Sequence, residues 1–303
     1  MRLSGFIPFY DNKAEASAPF YNRSIQILGP LAEEFPDDPI IGLLYANLHL
    51  DIGENYSYLE QPKLAAENIQ RGLELLGVLN EKHPTNNRIR RSFFIAHLKR
   101  GELSRDEGDL SNSLKLYDKA VEIAQESLRL NPGSFQAKRD LVITLKQRAV
   151  TLKAANRFKD SINDFSEAIK ISEQLKKEDP NNILIAYDIG GSYHDLSELY
   201  FLMRDFPSVI TSAEKTQQYC LEVLAKTPDH TQAKNVLGRS KFYAGKAFAA
   251  APNLPNSRQK ALENFLASRE IYSSLKASGK FRIQDEKRFA ELETEISKIQ
   301  GKK

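Results

Sequence analysis

The sequence predicts an all-α fold, an α-α superhelix built from antiparallel helix pairs. Three observations predict it. Five prolines, Pro36, Pro84, Pro132, Pro180 and Pro228, lie 48 residues apart in unbroken register, and Lys276 stands where the next would fall. Small and bulky residues recur at spacings of three and four within each period, the spacing of one helix face. Glycine (15) and proline (13) are sparse for 303 residues, and no stretch alternates apolar and polar as a strand would. Length alone suggests about two globular domains, but a fixed internal period overrides that count.

The elements follow in order. Residues 1–14 are expected to form an N-terminal tail, and 15–36 match only the second helix of a pair. Residues 37–84, 85–132, 133–180, 181–228 and 229–276 are expected to form five helix pairs. Residues 277–303, rich in Lys and Glu, match a lone first helix that caps the array with a polar surface. Each proline ends one helix and is followed by a residue suited to cap the next: Asp37-Asp38, Thr85-Asn86, Gly133, Asn181-Asn182 and Asp229. Seventeen residues after each proline comes a small residue: Gly53, Gly101, Ala149, Ser197 and Gly245. Further columns are Ala65, Ser113, Ser161, Val209 and Ser257, then Ile69, Tyr117, Phe165, Ala213 and Ala261, then Gly72, Ala120, Ala168, Thr216 and Asn264. Large side chains facing small ones let two helices pack closely. The fifth period is irregular at its tip, from Ala249 to Asn256.

Two stretches carry a resemblance. They are Gly101…Gly108-Asp109-Leu110…Ser113…Tyr117…Ala120 and Ala149…Asn156-Arg157-Phe158…Ser161…Phe165…Ala168. Their spacing resembles the tetratricopeptide repeat, whose usual length is about 34 residues. Here the period is 48, with seven residues added on either side of the small-to-small core, so each helix is longer by about two turns. The resemblance covers roughly residues 15 to 300 and is nearest to the long arrays attached to bacterial serine/threonine protein kinases. It implies a tetratricopeptide-like solenoid whose first helices line a groove for protein partners.

No catalytic signature accompanies the repeats. Gly238 to Gly245-Lys246 has the wrong spacing for a phosphate-binding loop, and Ala247 replaces the hydroxyl that would meet magnesium. Asp51-Ile52-Gly53 and Asp188-Ile189-Gly190 echo a kinase motif, but they fall inside predicted helices and in different columns. His49 and His97 share a column and lack the partners of a metal site, so they are expected to line the packing surface between first helices. Cys220 has no activating Lys or His beside it and is expected to be a buried packing residue. Glu198 with Asp195 is expected to be a solvated helix face rather than an acid/base pair. No enzyme activity, cofactor or metal is expected. A single cysteine and no apolar run of about 18 residues leave the cytoplasm as the expected compartment, with no membrane span.

The surface is informative through its charge pattern. The 43 basic and 40 acidic residues leave a formal charge of +3, which does not suggest a polybasic nucleic-acid binder. By repeat, however, the first helices run acidic, basic, basic, acidic. Residues 37–60 and 181–203 carry no Lys or Arg, whereas 85–105 and 133–159 carry one acid each among many bases. The expected groove residues are Arg88, Arg91, Lys99, Arg139, Lys146, Asp195 and Phe242. The two basic helices would grip a protein or peptide partner that is acidic or phosphorylated. The competing reading pairs these charges with acids on second helices. A carboxylate clamp for chaperone tails is not expected, because Leu50, Glu54, Lys99, Ile143 and Gln147 hold its positions and only Lys99 is of the right type. The leading function is a non-catalytic scaffold for protein–protein interaction. The alternatives are a regulatory or sensor module of a bacterial kinase signalling system and a helical-repeat RNA binder. The RNA reading lacks a fixed base-reading position in each repeat.

Overall fold

A computed structural model of the chain describes residues 14–301, so the expected N-terminal tail lies outside the described residues apart from Ala14. Twelve α-helices and one 3-10 turn make up the described residues, with no strand among them. Helix α1 spans Ala14–Glu34. The first helices of the pairs are α2 (Pro39–Tyr58), α4 (Asn87–Asp106), α6 (Phe135–Ala154), α8 (Ile183–Leu202) and α10 (Thr231–Ala250). The second helices are α3 (Pro62–Lys82), α5 (Leu110–Leu130), α7 (Phe158–Glu178), α9 (Phe206–Lys226) and α11 (Ser257–Ala277). A turn at Ile283–Asp285 leads into α12 (Glu286–Gly301). The described residues form two compact units, one holding α1 to α6 and ending at Ala155, the other holding α7 to α12 from Asn156.

The prolines set the first-helix starts through the residue two places on. Asp38 accepts hydrogen bonds from the Ile40 and Ile41 amides, Asn86 from Arg88 and Ile89, Ser134 from Ala137, and Asn182 from Leu184 and Ile185. In the fifth pair the cap is His230, whose Nδ1 accepts from the Ala233 amide at 3.2 Å; Ser134 and His230 each stand one place after the expected Gly133 and Asp229. Each cap satisfies donors that a helix start leaves open, at about 1 kcal/mol apiece.

The small column works as expected in α2, α4 and α10. A Cβ on Gly53 would lie 2.5 Å from Ile69 Cγ1, one on Gly101 2.9 Å from the Tyr117 ring, and one on Gly245 2.6 Å from the Phe265 ring. The third contact corrects the sequence register. Phe265 takes the place held by Ile69 and Tyr117, where the 48-residue ruler put Ala261. The α10–α11 connection runs from Ala251 to Asn256, three residues longer than Leu59–Gln61, and α11 starts one residue early relative to its buried face. The register therefore slips by four. Ala261, Phe265 and Ser268 occupy the small, bulky and small columns instead of Ser257, Ala261 and Asn264, and all three are fully buried. Ser268 Oγ seals this packing by donating to the Gly238 carbonyl at 2.8 Å, as Ser113 Oγ does to the Gly101 carbonyl.

Three tips share one backbone device. After α2 the Gln61 amide reaches back to the Tyr56 carbonyl, after α4 the Asp109 amide to Ser104, and after α8 the Asp205 amide to Tyr200. That bond closes the helix end around one left-handed residue. The left-handed residues in this column are Glu60 (φ 54°), Gly108 (φ 87°), Asn156 (φ 58°) and Arg204 (φ 60°), while in the longer fifth connection the left-handed residue is Asn256 (φ 56°), immediately before α11. Glycine fits this backbone without strain and asparagine tolerates it, whereas Glu60 and Arg204 are held there at about 1 kcal/mol each.

The C-terminal helix is less purely polar than its composition suggests. Leu292 and Ile296 are buried with Phe265 and Tyr272, and the rings of Phe281 and Phe289 pack on Tyr272. Asp285, fully buried, is held by Arg282 at 2.7 Å and by Arg288.

Candidate protein-binding face

In the first unit, α2, α4 and α6 bind to one another through their charged side chains. Lys99 Nζ on α4 lies 2.6 Å from Glu54 on α2. Arg91 Nε on α4 lies 3.1 Å from Asp140 on α6, and Arg105 Nη1 donates to Gln147 on α6 at 2.6 Å. The second unit repeats the device. Arg239 on α10 donates to Glu198 on α8 at 2.7 Å, and Lys246 on α10 meets Glu291 on α12 at 2.6 Å. These partners are 41 to 49 residues apart, about one repeat, so each link joins one first helix to the next. Arg148 with Asp118 on α5, 2.7 Å apart, follows the expected pairing with a second helix.

The seven residues expected in the groove are not equivalent. Arg88 is exposed at the start of α4 and has no ion-pair partner among the described residues. Arg91 and Lys99 are engaged by Asp140 and Glu54, and Asp140 also accepts from Gln136 Nε2 at 2.7 Å. Arg139 and Lys146 are half-buried and neither is a free cation. Lys146 shares its column with Leu50, His194 and Phe242, each of which is buried. That column turns into the packing, so Phe242 is a correction. At 2% exposure, with its ring centroid 6.1 Å from that of Phe265, it is core and offers nothing to a partner.

Asp195 belongs to a polar cluster in the second unit. Its carboxylate, that of Glu198 and a ring nitrogen of His194 lie within 4.8 Å of one another. Glu198 Oε1 already has Arg239 at 2.7 Å and His194 Nε2 at 3.3 Å. A guanidinium seated on the carboxylate repels a second cation, so the geometry fits an ion-pair hub between α8 and α10 better than a metal site.

The other singled-out residues have structural roles. His49 Nδ1 sits 3.1 Å from Asn68 Oδ1 on α3, so this histidine faces the second helix of its own pair rather than a neighbouring first helix. Tyr45 stacks edge-on to His49, and Phe93 does the same to His97. Burial pushes the His97 imidazole down to about 4. Cys220 is fully buried, and burial pushes its thiol up to about 12, which leaves it unreactive.

Sequence reasoning missed the exposed apolar groups at the ends of the first helices. Ile40 on α2 and Leu184 on α8 share a column, as do Tyr58 and Leu202, and all four are more than half exposed. It also missed a surface cavity of about 560 Å³ in the first unit, where the ends of α2 and α4 meet the start of α3. Ile69, Leu103, Pro62 and Tyr58 provide its apolar surface, and Glu54, Glu60, Glu102 and Asp106 its carboxylates, with Lys99 between them. The available signal was the tip column itself, where Glu60 stands in line with Gly108.

No family model matches the sequence, and no curated protein matches it. Solved structures do match. BtubC from P. vanneervenii is 14% identical over 87% of this chain and 92% of its own, with a TM-score of 0.64. The apo form of RapI is 13% identical over 98% and 97%, with a TM-score of 0.59. A signal transduction ATPase with a tetratricopeptide repeat sensor, from Pyrococcus horikoshii, is 13% identical over 97% of this chain and 41% of its own, also at 0.59. At such identities the likeness is one of fold, and the fold is a tetratricopeptide-like array of helix pairs.

Proposed function

We propose that the chain is a non-catalytic scaffold that binds protein or peptide partners on the face of its first helices. One observation carries this reading. A single exposed apolar side chain is ordinary on any protein surface. Here the same two columns are apolar and exposed on α2 and on α8, 144 residues apart, at Ile40 and Leu184 and at Tyr58 and Leu202. The other three repeats carry Arg88, Gln136 and Gln232 in the first column and Asp106, Ala154 and Ala250 in the second, so the large apolar positions mark the first and fourth repeats. The charge links between successive first helices support it further, since they hold neighbouring repeats in register and lower the ordering cost of binding.

The same links bear on the sign of the partner. An acidic or phosphorylated peptide would have to share Arg91 with Asp140 and Lys99 with Glu54. Arg88 alone among the basic candidates is exposed without such a link. The long-repeat resemblance extends the proposal to a bacterial serine/threonine kinase system, which a kinase reading frame beside this gene would support. No described helix is long and apolar enough to cross a membrane.

The test uses two double variants of the whole chain, Ile40→Ser with Tyr58→Ser and Leu184→Ser with Leu202→Ser. These surface changes leave the core intact. Partners captured by the wild type are identified by mass spectrometry, purified, and titrated calorimetrically against each variant. At least one pair of substitutions should weaken a partner tenfold or more. If both variants hold every partner as tightly as the wild type, the first-helix face is not the binding surface.

A further inference from the structure

The geometry points to the cavity at the α2–α3 turn as a docking site for a peptide segment that presents an apolar side chain flanked by Lys or Arg. The inference rests on the reading of the chain as a peptide-binding array. It adds the place and the chemistry of the partner. The cavity holds about 560 Å³, enough for a large aliphatic or aromatic side chain with neighbouring main chain. Its floor is made by Ile69 and Leu103, both nearly inaccessible, and its wall by Tyr58, which is 65% exposed. An apolar side chain seated there would cover the Tyr58 ring, which the fold leaves in water.

The rim decides the charge of what enters. Four carboxylates face the cavity: Glu54, Glu60, Glu102 and Asp106. Lys99 neutralises Glu54 at 2.6 Å. Arg105 lies beside Glu102 at 3.6 Å and Asp106 at 3.4 Å, too long for tight pairs, and its Nη1 is committed to Gln147. Glu60 is exposed and has no ion-pair partner among the described residues. The rim therefore carries an excess of negative charge in a half-enclosed site, and a cationic flank on the partner gains without displacing an internal pair. Glu60 also sits in the left-handed tip column, where glycine or asparagine would be more stable. A carboxylate is held on the rim against the backbone preference of its position.

The test starts from a phage-displayed library of random dodecapeptides selected on the full chain. Selected peptides are synthesised with a fluorescent label. Their affinities are measured by anisotropy for the wild type and for Glu60→Asn with Glu102→Gln. The first substitution removes charge while relieving backbone strain, so the variant should melt no lower than the wild type and lost binding cannot come from unfolding. Peptides with Phe, Leu or Ile between Lys or Arg, weakened about tenfold by the double substitution and by high salt, are the expected result. Acidic selected peptides, or basic ones indifferent to both substitutions, would overturn this inference and leave the peptide-binding reading standing. A library that yields no binder to any face would sink both.

Discussion

Replacing Gly53 by alanine sets two opposed effects against each other, and the structure decides which wins. In a helix interior alanine is favoured over glycine by about 1 kcal/mol. At Gly53, however, the new Cβ would sit 2.5 Å from Ile69 Cγ1, 3.0 Å from the Ala65 carbonyl oxygen and 3.1 Å from the Ile69 amide nitrogen. Two of those atoms are backbone of α3, so relief requires the helices to separate. Overpacking of this kind costs about 1–3 kcal/mol, and backbone contacts put it at the upper end, for a net loss of about 2 kcal/mol. Gly77 on α3 is the control. Its Cβ would find only Phe93 Cε2, at 3.8 Å, so Gly77→Ala should gain about 0.5–1 kcal/mol. Urea unfolding followed by far-ultraviolet circular dichroism reads the midpoints. Hydrogen exchange on α2 and α3 localises the change, because repeat arrays open in parts. The midpoints should move in opposite directions. A shift of the same sign in both variants would refute the close-packing account of the small column.

Three further outcomes follow from particular residues. Arg204→Gly should raise stability by about 1 kcal/mol in a thermal melt by releasing the left-handed strain at the α8–α9 tip, and Gly108→Ala should lower it by a similar amount. Glu198→Ala should cost about 2–3 kcal/mol because it leaves the half-buried Arg239 guanidinium without its 2.7 Å partner, whereas Glu126→Ala, in an exposed pair with Arg129, should leave the melt unchanged. His97, lowered by burial to about 4, stays neutral in the folded chain down to that pH, while the unfolded chain takes up a proton near the ordinary value of about 6.5. Its contribution is therefore whole above pH ~6.5 and falls by about 3 kcal/mol as pH drops towards 4. His97→Gln should flatten that stretch of the stability–pH curve.

The fold was legible because its period is carried by residues with strong local effects. A proline that ends a helix and a cap two places on leave little freedom in where α2, α4, α6, α8 and α10 begin. The ruler failed after Ala250 because an insertion in a surface turn costs little, so the array tolerates it while the columns behind it shift. Phe265 then does the work assigned to Ala261. The candidate site was legible only as a list of charges. Charge in sequence does not say which way a helix face turns or what lies across from it. Arg91 and Lys99 read as free cations because their partners, Asp140 and Glu54, belong to neighbouring repeats. Lys146 and Phe242 read as groove residues because the column they share with the buried Leu50 mixes types. Glu60 went unnoticed because its significance lies in a backbone angle that its side chain does not advertise.

The pairing of charge between repeats yields a prediction about the sign of the ligand. An acidic peptide gains a charge-assisted hydrogen bond of about 1.5–3 kcal/mol when it reaches Arg91. Arg91 Nε already serves Asp140, whose side chain is only 11% exposed, so a peptide that draws the guanidinium away leaves a buried carboxylate short of its partner at a comparable cost. The two nearly cancel. The basic bands seen in the sequence are therefore a weak anion site while their internal partners remain, and removing a partner should unmask one. Asp140→Asn keeps the shape and the hydrogen bond from Gln136 but frees Arg91 from its counter-charge, and Glu54→Gln does the same for Lys99. A fluorescent poly-glutamate peptide should bind the double variant at least tenfold more tightly than the wild type at low salt, and the gain should vanish at high salt. Equal binding to wild type and variant would mean that the internal acids do not hold these cations back, and the acidic-partner reading of the groove would regain its footing.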